Sequence, residues 1–233
     1  MQAIILAGGL GERLRPYTSD RPKTMVEACG VPILAYQLAW LRDSGVSRFV
    51  ISCGYRHDVI QDRFGDGGAI GVQIEYAIEY EKLGTGGGLK LAFGMADTSD
   101  PFILATNGDT LTSMDISSLV DVHVEGENTA TLSLTQLQSP YGIVESNDAH
   151  KVIAFHEKPL LPHWLSAGIY ALSPAIRDLL PDKGDHERST FPQIAQAGKL
   201  GAYKSRAYWR AIDTAKDLSE AEIELAENPL PHV

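Results

Sequence analysis

The sequence has few cysteines, little positive charge and no long hydrophobic run. Its two cysteines, Cys29 and Cys53, are too few for a disulfide framework and lack the spacing of a zinc site. The net charge of −10 argues against a general nucleic-acid surface, which requires a basic footprint. No run reaches the ~18 apolar residues of a membrane span, and the N-terminus does not resemble a secretion signal. We expect a soluble cytoplasmic protein that binds neither nucleic acid nor membranes.

Strand-like and helix-like segments alternate in the first half of the chain. Gln2 to Ala7 is a continuous apolar run ending in glycines, typical of a strand buried on both faces of a parallel sheet. From Pro32 to Ser44 the apolar residues recur every three or four positions and Gly45 follows, which predicts a helix. Further predicted strands are 48–53, 72–78 and 101–106, and further predicted helices are 58–64, 88–95 and 116–124. This alternation predicts an α/β fold with a mostly parallel sheet covered on both faces.

The pattern changes after residue 128 to shorter strands separated by turn residues. Strands are predicted at 129–135, 142–145, 152–156, 166–172 and 201–205, and helices at 174–180, 191–197 and 215–226. This spacing predicts a mixed part of the sheet. No repeat or low-complexity linker divides the sequence, so we expect one domain over residues 1–233.

A glycine-rich turn follows the first predicted strand at its carboxyl end, where open α/β sheets bind ligands. Gly8, Gly9 and Gly11 allow backbone N–H groups to approach a phosphate closely. Arg13 and Lys23 supply positive charge for phosphoryl chemistry. The dinucleotide fingerprint fails because a leucine stands at its third small position, and no G-x-x-x-x-G-K-[ST] motif is present. A simple tight turn with solvated basic residues remains the alternative.

A second polar turn, Asn107 to Asp109, follows the predicted strand 101–106. A carboxylate at the end of this strand can hold Mg²⁺, which prefers few carboxylates together with substrate phosphate oxygens. A turn-forming Asn-Gly-Asp without a metal remains the alternative. The seven histidines show no metal-ligand spacing, so we interpret them as structural or solvated.

Residues 6–14, Leu-Ala-Gly-Gly-Leu-Gly-Glu-Arg-Leu, and residues 21–24, Arg-Pro-Lys-Thr, resemble the signature of the sugar-1-phosphate nucleotidyltransferase family. The resemblance extends to about residue 226 and includes the mannose-1-phosphate and heptose-1-phosphate guanylyltransferases. It implies a Rossmann-like mixed sheet, with a nucleotide-binding half at about 1–110 and a sugar-phosphate-binding half at about 111–226. It also implies that Arg13 and Lys23 assist the departure of pyrophosphate. The nucleotide-binding residues implied in the first turn are Leu6, Ala7, Gly8, Gly9 and Gly11.

Residues 83–88, Leu-Gly-Thr-Gly-Gly-Gly, resemble the family element that holds the base against the backbone. The resemblance makes Gly84 and Thr85 base contacts and Glu79 the candidate reader of the base edge, with Glu81 an equally near carboxylate. A glutamate can accept hydrogen bonds from the two adjacent donors of guanine, or from the ring N–H of uracil. We therefore favour GTP, with UTP and other nucleotides left open.

The resemblance also implies that Asp109 and a second aspartate hold Mg²⁺. Residues 208–214, Tyr-Trp-Arg-Ala-Ile-Asp-Thr, depart from the W-x-D-x-G-T pattern of many members, because Ala211 stands at the ligand position. The I-D-T-x-x-D-L pattern of related cytidylyltransferases fits residues 212–218 and makes Asp213 the expected second ligand. Asp217 is a reserve ligand, although its position is more typical of the first turn of a helix.

Several later residues resemble the sugar-phosphate contacts of the family. Lys158 is expected to bind the phosphate. Glu157 and the backbone of Gly142 are expected to bind sugar hydroxyls. Ser166 stands where asparagine is common, which leaves the sugar open, and residues 187–192 resemble a segment that orders a loop. The predicted substrate-binding residues are Asn107, Gly142, Glu157, Lys158, Ser166 and Tyr170.

The predicted reaction joins a nucleoside triphosphate, with GTP favoured, to a sugar 1-phosphate and releases pyrophosphate. A sugar-phosphate oxygen attacks the α-phosphorus in line, and no covalent enzyme intermediate is needed. Two alternatives remain. One is a uridylyl- or cytidylyltransferase acting on another sugar or alcohol phosphate. The other is a non-catalytic nucleotide-sugar-binding protein, suggested by Ala211. The sequence leaves the oligomeric state open.

Overall fold

A computed structural model describes residues 1–231, in which a seven-stranded central sheet has helices on both faces. In chain order the strands are β1 (Gln2–Ala7), β2 (Glu27–Ala28), β3 (Val31–Pro32), β4 (Arg48–Cys53), β5 (Gln73–Ile78), β6 (Ile103–Asn107), β7 (Thr110–Thr112), β8 (Ala130–Gln138), β9 (Ile143–Ser146), β10 (Val152–His156), β11 (Leu160–Leu172), β12 (Leu200–Lys204) and β13 (Trp209–Ala211). The α-helices are α1 (Ile33–Asp43), α2 (His57–Phe64), α3 (Gly84–Phe93), α4 (Ile116–Glu125), α5 (Thr190–Gln196) and α6 (Ala215–Glu227). Short 3₁₀ helices lie at Glu12–Leu14, Lys23–Met25, Gly68–Ile70 and Pro174–Leu179.

The central sheet has the strand order β12-β8-β11-β6-β1-β4-β5. β1 pairs in parallel with β4 and β6, β4 with β5, and β8 with β12, whereas β11 is antiparallel to both β6 and β8. One strand therefore runs against six. The predicted α/β fold with a mostly parallel mixed sheet is confirmed, and the carboxyl ends of β1, β4 and β6 meet at one edge.

β1 is buried on both sides because its alternate residues enter two different cores. Ala3 and Ile5 pack with residues of α1 and α4, and Ile4 packs with residues of α3 and α5. A third, smaller core joins the buried Leu14 to α6. Since the glycine-rich turn starts at the end of β1, these cores hold its starting point rigidly.

Besides the short β2–β3 pair, two antiparallel ribbons in the described part of the chain lie outside the central sheet. In one, β13 pairs with β7, with Ala211 opposite Thr110. In the other, β9 pairs with β10, with Val144 opposite Phe155. The β7–β13 pairing brings the last part of the chain back to the residues that follow β6.

Three predicted elements differ from the structure. The helix predicted at 88–95 begins four residues earlier, at Gly84, because the segment 182–187 packs against glycines that would otherwise disfavour a helix. The helix predicted at 174–180 is a 3₁₀ helix, Pro174–Leu179. The strand predicted at 166–172 begins six residues earlier, at Leu160. Within residues 1–231, no helix has both the length and the apolar character needed to cross a membrane.

Candidate active site

The floor of the candidate site is formed where β1 and β6 end side by side. The Gly108 N–H donates to the Leu6 carbonyl at 2.8 Å, and a Cβ on Gly108 would lie 2.7 Å from that oxygen and 2.7 Å from Thr24 Cγ2. A side chain at residue 108 therefore does not fit. The turn Asn107 to Asp109 is held directly against the glycine-rich turn.

The glycine-rich turn bends back over the segment that carries Lys23. Gly11 adopts a φ of +62°, and a Cβ there would lie 2.8 Å from Thr18 Cγ2 and 3.0 Å from Lys23 Cβ. The Thr18 hydroxyl donates to the Gly11 carbonyl at 2.8 Å. Gly8 and Gly9 are accessible while Ala7 is buried, so the turn offers bare backbone from Gly8 onward.

A cluster of two carboxylates and two cations lies beside this turn. Lys23 Nζ is 2.6 Å from Asp109 Oδ2 and 2.6 Å from Asp213 Oδ1, and Arg13 Nη2 donates to Asp213 Oδ1 at 2.8 Å. The Lys23 side chain is 12% exposed. Partial burial acts to lower the pKa of Lys23, but attraction to Asp109 and hydrogen bonds to both aspartates outweigh it, and the pKa is raised. Lys23 therefore carries a full charge at neutral pH.

The β7–β13 ribbon brings the two aspartates together across 104 residues of chain. Ala211 pairs with Thr110, and the Ile212 N–H donates to the Asp109 carbonyl at 2.9 Å. Asp213 therefore lies beside Asp109. Asp217 has a different role, because its carboxylate accepts from the backbone N–H and hydroxyl of Thr214 in a capping box at the start of α6.

The donor set fits a magnesium ion that is shared with a substrate. Among residues 1–231, no cluster of three or more potential ligands from His, Cys, Asp or Glu is present, so a closed protein cage is absent from this part of the chain. Mg²⁺ does not need such a cage, because it binds through one or two carboxylates together with phosphate oxygens and water. Asp109 and Asp213, which already converge on the Lys23 ammonium, provide two carboxylates.

Glu79 lies between the glycine-rich turn and α3. Its backbone N–H donates to the Cys53 carbonyl at 2.8 Å, and its Oε1 accepts from the Ser52 hydroxyl at 2.8 Å. A Cβ on Gly8 would lie 2.5 Å from Oε1, and one on Gly88 2.8 Å. Glycine at both positions therefore leaves the space that this carboxylate occupies.

The alternative base reader, Glu81, points elsewhere. Its Oε2 lies 2.7 Å from Lys183 Nζ, and the side chain is 69% exposed. Only Glu79 is placed next to the glycine-rich turn, so the structure separates two carboxylates that the sequence leaves equivalent.

The first turn of α3 is held by the loop 182–187. The Gly86 N–H donates to the Gly184 carbonyl at 2.8 Å, and the Thr85 hydroxyl donates to Glu187 Oε2 at 2.6 Å. A Cβ on Gly86 would lie 2.9 Å from the Gly184 oxygen. Gly84, with a φ of +79°, begins this turn. The loop thus positions the element expected to hold the base.

Asn107 and Ser166 lie near a bulge in β11. A Cβ on Gly168, whose φ is +73°, would lie 2.7 Å from Asn107 Nδ2. The β8–β11 register shifts between Ser166 and Tyr170, and Ser166 is exposed. Asn107 Oδ1 is buried and accepts no hydrogen bond from residues 1–231, so its acceptor capacity is unused within this part of the chain.

The remaining sugar-side candidates lie at the base of the β9–β10 ribbon. A Cβ on Gly142 would lie 3.1 Å from Glu157 Oε2, so these two residues are neighbours. Lys158 lines a cavity of about 1070 Å³ that Asp213 also lines. The cavity links the predicted phosphate-binding lysine to the carboxylate cluster.

Tyr170 requires a correction, because the structure places it in the core. Its side chain is 1% exposed, and its ring packs edge-on against Phe191 and His186, with centroids 5.2 and 5.5 Å away. Burial, and then the charge of Glu187, raises the pKa of its phenol. A ring enclosed in this way has no face for a sugar, and its position does not support the predicted contact.

Comparison with known proteins identifies the family. The model of the family described as Nucleotidyl transferase matches residues 2–228. The chain belongs to the nucleotidyl transferase family. The predicted family is confirmed.

Two curated members are similar over nearly the whole chain. Mannose-1-phosphate guanylyltransferase of Mycobacterium tuberculosis is 32% identical over 99% of this chain and 66% of its own length. D-glycero-alpha-D-manno-heptose 1-phosphate guanylyltransferase of Aneurinibacillus thermoaerophilus is 34% identical over 97% of this chain and 98% of its own length. The chain spans slightly less than two thirds of the length of the Mycobacterium tuberculosis protein and nearly all of the length of the Aneurinibacillus thermoaerophilus protein.

Solved structures of nucleotidyl transferases share the fold. HddC from Yersinia pseudotuberculosis superposes with a TM-score of 0.77 at 28% identity, covering 96% of this chain and 99% of that one. The same protein complexed with GMP-PN gives a TM-score of 0.75. A putative glucose-1-phosphate thymidylyltransferase from Bacillus anthracis gives 0.77 at 22% identity, over 98% of this chain and 96% of that one, which shows the fold alone.

Several residues that support the site of this nucleotidyl transferase are not predicted by the sequence motifs. The Gln37 amide donates to the carbonyls of Asn107 and Thr110 at 2.7 and 2.9 Å. A buried glutamine among the apolar positions of a predicted helix is a signal that could have revealed this role. Ser52, which bonds Glu79, and Thr18, which bonds Gly11, carry no comparable signal in their sequence context.

Proposed function

We propose that this chain is a magnesium-dependent guanylyltransferase that transfers GMP from GTP to a sugar 1-phosphate. The observation that carries the proposal is the cluster of Lys23, Asp109 and Asp213, with 2.6 Å contacts, beside an accessible glycine-rich turn. Two relatives similar over nearly the whole chain bear the names of guanylyltransferases acting on mannose 1-phosphate and a heptose 1-phosphate. Their names and this geometry support the same reaction.

In the proposed reaction, an oxygen of the sugar phosphate attacks the α-phosphorus of GTP. The bond from that phosphorus to the bridging oxygen of the β-phosphate breaks, and pyrophosphate leaves with the electron pair. When bound by Asp109 and Asp213, Mg²⁺ would offset phosphate charge and orient the reacting groups. Electrostatics and positioning account for the remaining catalysis, as in other phosphate transfers.

The basic side chains have distinct tasks in this proposal. Lys23 and Arg13, beside the glycine-rich turn, neutralise the departing pyrophosphate. Asp109 and Asp213 outweigh the effect of burial and raise the pKa of Lys23, so its side chain supplies the positive charge that this task requires. Lys158, which lines the same cavity as Asp213, holds the phosphate of the attacking sugar. Gly142 and Glu157 contact sugar hydroxyls.

Glu79 gives the proposal its preference for guanine. Its Oε1 already accepts from Ser52, and within residues 1–231 no group donates to Oε2. A carboxylate with open acceptor capacity suits the adjacent ring N–H and amino donors of guanine. The residues around Gly84 and Thr85 provide the backbone against which the base lies.

A matrix of substrates tests the proposal directly. The purified chain is assayed for Mg²⁺-dependent pyrophosphate release with each of four nucleoside triphosphates against mannose, glucose and heptose 1-phosphates. We expect GTP to support the highest kcat/KM. Asp109→Ala should abolish release, while Asp121→Ala, at an exposed position of α4, should behave as wild type. Undiminished turnover of Asp109→Ala would refute the assignment.

The same matrix addresses the two competing functions. A higher kcat/KM with UTP or CTP would favour a uridylyl- or cytidylyltransferase. The non-catalytic alternative draws on Ala211, which leaves the usual ligand position without a carboxylate. A melting temperature raised by GTP or a nucleotide sugar, with no pyrophosphate released from any pair, would support that alternative.

A further inference from the structure

Ser52 is a polar residue inside the buried strand β4. It shares one face of the strand with Val50, which packs against Leu89 of α3, whereas Ile51 and Cys53 enter the core on the opposite face. The Ser52 side chain is buried, with 0% exposure. Because a hydroxyl is costly to bury unless it forms a hydrogen bond, the role of Ser52 is defined by the groups that its hydroxyl contacts.

The Ser52 hydroxyl has two acceptors within reach and a single proton to donate. Its Oγ lies 2.8 Å from Glu79 Oε1 and 3.2 Å from the Gly88 carbonyl oxygen. The carboxylate is the nearer acceptor, and hydrogen bonds to ionised groups are stronger than those between neutral groups. The Gly88 carbonyl lies inside α3, where carbonyls accept from N–H groups of the helix itself. The proton of Ser52 therefore goes to Glu79.

The other close neighbours of Glu79 are glycines. A Cβ on Gly54 would lie 3.2 Å from the Glu79 carbonyl oxygen, and Cβ atoms on Gly8 and Gly88 would lie 2.5 and 2.8 Å from Oε1. These glycines leave room for the carboxylate but offer it no side-chain donor. Among residues 1–231, Ser52 is the one residue that donates to the Glu79 carboxylate. The orientation of this carboxylate therefore depends on a single hydroxyl.

We propose that Ser52 is a specificity-determining residue that acts through residue 79 and makes the chemistry of that residue decide the base. Its hydroxyl binds an oxygen of residue 79 and turns the other terminal atom of that side chain toward the base. With a glutamate this atom is an acceptor, which selects a base whose ring carries an N–H group. The inference deepens the proposed function and rests on Glu79 as the reader of the base.

Loss of the Ser52 hydroxyl then has opposite effects in two backgrounds. In the native chain, Ser52→Ala frees the carboxylate to rotate, which weakens binding, but both carboxylate oxygens accept and the preference for the base persists. In the Glu79→Gln background, Ser52 holds the amide oxygen and leaves the NH₂ group facing the base. Removing the hydroxyl there lets the amide turn its oxygen to the base, so part of the original preference returns. A hydroxyl that only tied β4 to α3 would weaken binding in both backgrounds.

Titration calorimetry of the intact chain with Mg²⁺ and each of four nucleoside triphosphates tests the proposal without turnover. GTP against ATP, and UTP against CTP, each compare a base that has a ring N–H with one that lacks it. For the preferred pair, Glu79→Gln should lower the affinity ratio about 10-fold, and Ser52→Ala combined with Glu79→Gln should raise it again at least about 3-fold. Ser52→Ala alone should weaken binding about 3-fold and leave the ratio within about 2-fold of wild type.

Ser133→Ala is the matched control. Ser133 is also 0% exposed in the central sheet, and its hydroxyl donates to the Ile169 carbonyl at 2.8 Å. Its loss should leave the affinity ratio unchanged both in the native chain and in the Glu79→Gln background, with melting temperatures showing that every variant is folded. Recovery of the ratio by Ser133→Ala as well would mean that general loosening of the sheet is responsible. That result, a double variant without recovery, or a wild type without preference in either pair would overturn the proposal.

Failure of this inference and failure of the proposed function give different results. If the binding pattern holds but no pair of substrates releases pyrophosphate, the proposed reaction fails and the role of Ser52 stands. If the pattern holds for UTP against CTP, the preference for guanine fails and the role of Ser52 again stands. If GTP supports turnover but the double variant does not recover its preference, the proposed function stands and Ser52 has only a structural role.

Discussion

The nucleotide side and the sugar side that we propose for the candidate site are built in different ways. On the nucleotide side, Gly108 and Glu79 are tied by backbone hydrogen bonds to the central strands, at Leu6 and Cys53. On the sugar side, Lys158 follows an exposed ribbon outside the central sheet. A triphosphate has the same geometry in every substrate, whereas sugars differ. Fixed strand ends suit the binding of a triphosphate, and exposed segments that tolerate sequence variation suit the binding of different sugars.

Among the variants that compare the two sides, the largest effect should come from Asp213, the residue that joins them. Asp213→Asn removes one of the two carboxylates expected to hold Mg²⁺, and it replaces the ion pair between Asp213 and Lys23 with a weaker contact. We expect kcat to fall about 100-fold or more, the scale seen when a preorganised electrostatic contact is lost. Steady-state pyrophosphate release at saturating Mg²⁺ measures it, with melting temperature confirming that the variant is folded.

The matched control is Asp217→Asn, four residues away. Asp217 serves the capping box of α6, so its loss should cost about 1 kcal/mol of stability and lower Tm by ~2–4 °C in a chain of this size. Its kcat should stay within a few-fold of wild type. If Asp217→Asn lost turnover and Asp213→Asn did not, the second ligand would be Asp217.

A smaller effect, confined to one substrate, is expected from Lys158→Met on the sugar side. The loss of a charge-assisted hydrogen bond costs ~1.5–3 kcal/mol, which corresponds to a KM for the sugar phosphate raised about 10- to 100-fold. The KM for GTP should not change. The control is Lys216→Met, since Lys216 lines the same cavity but pairs with Glu220. A larger effect at Lys216 would place the phosphate near α6 instead.

On the nucleotide side, Glu79→Gln should change the choice of base. Ser52 donates to Oε1, so the amide oxygen of a glutamine would take this bond and its NH₂ group would face the base. An NH₂ group opposes the donors of guanine, and we expect kcat/KM for GTP to fall about 10-fold relative to ATP. Glu81→Gln, at the carboxylate paired with Lys183, should leave this ratio unchanged. The reverse result would make Glu81 the reader.

The sequence predicted elements with strong local periodicity better than elements that depend on distant contacts, for a physical reason. β1, α1 and β4 are regular elements with strong local periodicity, and their predicted positions agree with the structure within a residue or two. The turns that follow them were therefore placed correctly at one sheet edge. The start of α3 was missed, because it depends on contacts between residues about 100 positions apart. Local propensity cannot report such contacts.

The placement of Asp109 beside Asp213 could be predicted only in part. The resemblance named both aspartates, but the pairing of β7 with β13 that joins them involves two three-residue strands without a periodic signal. Tyr170 shows the opposite limit. Ser166 of the motif is exposed, but Ile169 and Tyr170 are both buried, because successive residues of a strand face opposite sides and each side of β11 is covered by a core here.

The smallest expected effect concerns the two native thiols. It tests whether the nucleotide side is closed to solvent, as the comparison of the two sides requires. Cys53 ends β4 beside Glu79, and burial, with the charge of Glu79, raises the pKa of its thiol to about 12. At pH 8 only ~1 in 10⁴ of such thiols is the reactive thiolate, whereas Cys29 is exposed. A thiol reagent should therefore label one cysteine of the native chain rapidly and the second only after denaturation, and Cys29→Ser should remove the rapid phase. If two thiols of the native chain were labelled rapidly, the end of β4 would have to open to the reagent. The two sides of the site would then differ less in rigidity than their hydrogen bonds indicate.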